Sequence, residues 1–151
     1  YMLIATRSLF EPYTFINDHP ALPDRPIGTY QEVIAELMRT QALESGCMMN
    51  VVTGDVDRGP AISYCRFLIQ DQANEVVWNA LAGAEIDGAR LDEIMAMPLY
   101  LDIRNRGIAR ERPFLVETLR AIASGSLQVP PSTPLDLTNE VERAVQSTPP
   151  V

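Results

Sequence analysis

Apolar positions alternate or cluster along the chain in a way that predicts short strands broken by amphipathic helices. Residues 1–5, Tyr-Met-Leu-Ile-Ala, form a nearly continuous apolar run, the pattern of a strand buried on both faces of a parallel sheet. Residues 14–17 read as a second short strand, and the loop after it carries Pro20, Pro23 and Pro26, which fix its course. Thr29-Tyr30-Gln31-Glu32 has capping-box spacing, which predicts a helix starting there and ending near Gly46. Tyr30, Val33, Ile34, Leu37, Met38 and Ala42 give it one apolar stripe that would lie on the sheet, a core surface and not a cofactor box.

Residues 47–53 and 61–69 are β-rich, and the Gly54 to Pro60 segment between them predicts an antiparallel hairpin with a long turn. Whether Cys47 faces Cys65 depends on a one-residue register choice that the sequence leaves open. Residues 71–107 have helical character, interrupted by Gly83, Gly88 and Pro98, which fits two or three short helices. The arginines of residues 103–112 read as a solvated helix face, with an anion site as the minority reading. Pro113 suits the first turn of a helix ending at Gly125, and residues 126–129 suit an edge strand. The chain thus divides into a main unit, residues 1–129, and a proline-rich extension, residues 130–151, with a short helix over 135–145.

Composition narrows the function classes. The 151 residues are 46% hydrophobic and 21% charged, which suits one globular domain. No apolar stretch approaches the roughly 20 residues needed to cross a bilayer, so a membrane partner is not expected and the cytoplasm is the expected location. A net charge of -8 argues against nucleic acid as a partner. Every basic residue is arginine, which removes lysine Schiff-base chemistry and the phosphate-loop lysine. Cys47 and Cys65, with one histidine, make a poor zinc set; reduced buried thiols and no metal are expected.

The lone histidine, His19, is the one imidazole available for proton transfer near neutral pH. In an extended segment Asn17 and His19 project the same way, and Asp57 is the acid that would orient and charge-balance the imidazole. The bland alternative is a capped strand end with a hydrogen-bonded core histidine.

Asn17-Asp18-His19-Pro20-Ala21-Leu22-Pro23, the helix after Gly28, Gly46, and Asp57-Arg58-Gly59-Pro60-Ala61-Ile62 resemble, in order and spacing, the folate-dependent formyltransferase family. The resemblance covers about residues 1–70; residues 113–129 resemble the family's late helix and strand, and residues 71–112 match no part of it. It implies a Rossmann-type α/β fold, a mostly parallel sheet with an antiparallel hairpin and flanking helices, of which this chain would be the carboxyl-terminal part, with the amino-terminal half missing. It also implies formyl transfer from 10-formyltetrahydrofolate to an amine acceptor of the phosphoribosylglycinamide type. Asn17, His19 and Asp57 would be catalytic, with Asn17 or a protonated imidazole supporting the oxyanion and His19 moving protons directly or through a water held by Asp57.

Met2, Val52 and Asp57 would contact the folate. Leu3 replaces an arginine common in the family, Asp18 takes a position usually apolar, and Asn50 stands where a histidine is frequent. The loop after His19 is one residue shorter than usual. Formyltetrahydrofolate hydrolases and amino-sugar formyltransferases share the trio. A non-catalytic folate-binding or assembly module, pairing its sheet edge at Tyr1 with another chain as in a homo-oligomer, is the reading outside enzymology.

Overall fold

A computed structural model describes residues 6–23, 26, 28–82, 86 and 88–147. The elements are α1 (Arg7–Phe10), β1 (Ile16–His19), α2 (Tyr30–Arg39), β2 (Glu44–Val51), β3 (Ala61–Leu68), α3 (Glu75–Ala82), α4 (Leu91–Met95), α5 (Pro98–Ala123), β4 (Leu135–Asp136) and α6 (Thr138–Ser147). The four strands form one open mixed sheet in the order β1-β2-β3-β4. The predicted strand over residues 1–5, with Met2 and Leu3, lies outside the described residues.

The described sheet is not mostly parallel. β1 pairs antiparallel with β2 and β2 antiparallel with β3, and only the two-residue β4 runs parallel to its neighbour. The connection from β1 to β2 contains α2. The second half of β2 runs back along β1, with His19 opposite Met48 and Ile16 opposite Val51, instead of crossing over to run in the same direction.

α2 begins as its sequence predicts: Thr29 and Glu32 form a capping box, and Val33, Ile34, Leu37 and Met38 are buried. It stops at Arg39, short of Gly46. Gln41 takes a left-handed φ of 49° just past the end, the conformation that terminates helices. Gly46 instead lies inside β2, where a Cβ would meet Leu22 Cδ2 at 2.3 Å and the Cys65 carbonyl at 2.4 Å. Its role is a close approach of loop to strand.

α5 also departs from expectation, because Pro113 lies within the helix and does not open it. Pro98 takes the first-turn position. Leu99, Tyr100 and Ile103 before Pro113, and Phe114, Thr118 and Ala121 after it, are all buried. Packing on both sides offsets the backbone hydrogen bond that proline removes. Residues 126–129 form no strand; Leu127 N–H instead donates to the Ala121 carbonyl, folding the chain back on the helix end. α6 packs on α5 and β3, and Leu137 and Val141 join the same core.

The sheet has two chemically different faces. Cys47 lies directly opposite Cys65, and Met49 opposite Ser63. This face packs under α5, where Ser63 Oγ and Thr118 Oγ1 are 2.9 Å apart and Arg110 stands 4.6 Å from the Phe67 ring centroid. Both thiols are free and buried. Three arginines of the basic run are held in ion pairs: Arg104 with Glu111, Arg106 with Asp71 and Asp102, Arg110 with Glu142. No described helix is long and apolar enough to cross a membrane.

The turn between β2 and β3 depends on Gly59. A Cβ there would lie 1.6 Å from the Val51 carbonyl oxygen, while the neighbouring Pro60 carbonyl accepts from Val51 N–H at 3.0 Å. The obstacle is backbone, which cannot rotate away. Gly59→Ala is expected to destabilise the fold by about 3 kcal/mol, the upper range for overpacking, lowering the melting temperature by roughly 6–12 °C at this chain length. A thermal melt within 2 °C of wild type would show that the turn is not closed this tightly (about 1 kcal/mol or less).

Candidate functional site

Two segments far apart in sequence meet at the end of the sheet. β1 carries Asn17 and His19 on one face, because side chains two apart on a strand point the same way. The β2–β3 turn carries Asp57, whose φ of 55° is left-handed. Aspartate tolerates that region better than most residues, and the conformation presents its carboxylate to β1. Asn17 Nδ2 donates to Asp57 Oδ1 at 3.0 Å, and His19 Nδ1 stands 3.7 Å from Asp57 Oδ2. The three residues singled out from sequence are thus in one cluster.

A fourth joins them. Asn50 faces Asn17 across the β1–β2 ladder, is 1% exposed, and its Oδ1 accepts from Asn17 Nδ2 at 3.4 Å. A β-bulge between Met49 and Asn50 shifts the register at this point, a device that re-aims side chains beside functional sites. The sequence marks Asn50 only through the resemblance, as standing where a histidine is frequent, and its place in the cluster depends on which strand β2 pairs with.

His19 is 4% exposed and its Nε2 has no hydrogen-bond partner. Burial lowers its pKa from the ordinary 6.5, and the Asp57 carboxylate opposes that shift. At neutral pH the ring is therefore uncharged. With a carboxylate facing Nδ1, the favoured tautomer carries its proton there and leaves Nε2 with a lone pair. The separation of 3.7 Å is electrostatic reach and exceeds a hydrogen bond.

A cavity of about 200 Å³ opens beside the cluster. Asn17, Asn50, Val52 and Asp57 contribute to its wall, together with Arg7 and Phe10. Val52 thus stands where a pocket residue was expected, whereas Met2 lies outside the described residues. His19 is not among the wall residues, whereas Asp57 both lines the cavity and approaches the imidazole. Arg7 and Phe10 were not foreseen; α1 has only four residues, too few for a periodic signal. Among the described residues no group of three or more His, Cys, Asp and Glu is placed to hold a metal ion.

Asp18, between Asn17 and His19, points to the other face. As a residue it is exposed, yet its carboxyl is pushed up to about 7, first by desolvation and then by Glu111, with Arg104 opposing. Its stability effect runs opposite to that of His19. A raised carboxyl loses folded-state stability as pH rises from 3.8 through about 7. The histidine, with a lowered pKa, costs stability as pH falls below 6.5, where the unfolded chain takes up the proton first.

The two slopes overlap in a melt, so the histidine is best read directly. As the one histidine in the chain it gives a single pair of imidazole ring-proton NMR signals. Their midpoint is expected below 6.5, and Asp57→Asn, which removes the opposing charge, is expected to lower it further. A wild-type midpoint at or above 6.5, or an upward move in the variant, would contradict the burial and pairing described.

Comparison with protein-family models, with curated proteins and with solved structures gave no match to this chain.

Proposed function

We propose that this site transfers a formyl group from 10-formyltetrahydrofolate to an amine. The observation that carries the reading is the meeting of Asn17, His19 and Asp57 from two distant segments, through the 3.0 Å Asn17–Asp57 bond and the 3.7 Å His19–Asp57 approach. The sequence resemblance independently selects these three residues. A hydrogen-bonded core histidine would have both ring nitrogens satisfied, whereas His19 Nε2 has no partner among the described residues.

Attack of the amine nitrogen on the formyl carbon builds negative charge on the carbonyl oxygen and positive charge on the nitrogen. A proton must leave that nitrogen and another must reach the departing folate nitrogen. Asp57, on the cavity wall, is the group that meets the amine. His19 lies beside it with Nδ1–H toward the carboxylate, to which that nitrogen can pass its proton, while the partnerless Nε2 lone pair is the position that takes one up. An imidazole held neutral by burial is ready to accept. The cavity, about 200 Å³, is below the usual size for a whole cofactor (about 300 Å³ or more), so it would receive the formyl-bearing end, with Val52 against it.

The test uses the intact polypeptide with 10-formyltetrahydrofolate and a panel of primary amines, following tetrahydrofolate, formylated amine and formate. His19→Gln, which keeps the side chain's bulk, is expected to lower kcat by about 10²- to 10⁴-fold. A variant that transfers formyl groups within threefold of wild type would remove His19 from the mechanism. Formate released at full rate without any amine would assign the site to hydrolysis, with water in the place of the amine.

A further inference from the structure

Counting donors in the cluster separates the two asparagines. Asn17 Nδ2 carries two hydrogens and both have acceptors: Asp57 Oδ1 at 3.0 Å and Asn50 Oδ1 at 3.4 Å. Turning the amide over would set its oxygen against the carboxylate oxygen at that same 3.0 Å, two acceptors facing each other. Asp57 therefore fixes the orientation, and Asn17 has only its Oδ1 left to offer. An acceptor cannot stabilise an oxyanion.

Asn50 is in the opposite state. Its Oδ1 is occupied by Asn17, one Nδ2 hydrogen goes to the Val51 carbonyl at 3.4 Å, and the second has no partner among the described residues. Asn50 lines the cavity and is 1% exposed, and a donor screened from bulk water interacts strongly with developing charge.

Resting on the formyl-transfer reading, we propose that Asn50 supplies the donor to the carbonyl oxygen of the transferred formyl group, and that Asn17 acts as an acceptor that orients the attacking amine. The amine lone pair forms the new carbon–nitrogen bond while the carbonyl π pair moves onto oxygen, where Asn50 Nδ2–H meets it. One amine hydrogen points to Asn17 Oδ1 and another to Asp57. Collapse of the tetrahedral intermediate re-forms the carbonyl and breaks the bond to the folate nitrogen. That nitrogen takes up the proton lost by the amine, so formylated amine and tetrahydrofolate leave with all atoms accounted for.

Asn50→Asp is nearly isosteric and replaces the donating amide with a carboxylate. In the intact polypeptide it is expected to lower kcat by about 10²- to 10³-fold, the effect of losing one oxyanion donor, with KM for the folate within threefold of wild type. Asn50→Ala is read in the same way should the aspartate variant not fold, with thermal melts of both as the control for folding. A fall in kcat of less than tenfold in a folded variant, or a loss confined to KM, would overturn the assignment while leaving formyl transfer in place. A wild-type polypeptide that neither transfers nor releases formyl groups would overturn the underlying reading, and the role of Asn50 with it.

Discussion

The candidate site depends on the close crossing of Gly59 over the Val51 carbonyl. Without a side chain at Gly59 the end of the turn passes against β2, which draws the preceding residues back toward the sheet. Asp57, two residues earlier, is then held in a left-handed conformation with its carboxylate directed at β1. Left-handed φ in a non-glycine residue is strained backbone, and it persists where surrounding structure over-determines it. Here two side chains from another strand complete that determination, one as a hydrogen-bond donor and one through charge.

That arrangement has an electrostatic consequence. A carboxylate beside a buried imidazole favours the charged ring, while burial disfavours it; the net downward direction shows that burial wins. The pair is then a neutral imidazole next to an anion, ready to receive a proton and reluctant to keep one. Asp57 faces the cavity and His19 does not, so any group in the cavity senses the imidazole through the carboxylate. The aspartate is the more accessible partner, at 23% exposure against 4%.

Much of this was legible from residues alone because it was written in local chemistry. The Thr29–Glu32 capping box, the apolar stripe of α2, the β2–β3 hairpin and the Asn17, His19, Asp57 cluster each rest on side-chain types at fixed spacings. What sequence did not settle depended on packing between distant segments. Pro113 is a helix-opening signal by itself, yet Phe114, Thr118 and Ala121 keep the helix continuous by burying the same face as Ile103. Gly46 is a helix-ending signal by itself, yet its missing side chain is used by Leu22. β1 runs antiparallel to β2, a direction that no period in the sequence encodes.

The same limit explains why Asn50 escaped notice as a working residue. The resemblance marked it only as standing where a histidine is frequent, and nothing in the strand's own sequence said which side chains would cross the ladder to meet it. Once β1 lies alongside, Asn17 must give both of its hydrogens to neighbours. Two amides that are equivalent in composition become unequal in function, one left an acceptor and one keeping a hydrogen to donate. The difference arises from Asp57, since only a carboxylate at that distance forbids the reversed amide. The turn that places the acid therefore also decides which asparagine can stabilise negative charge.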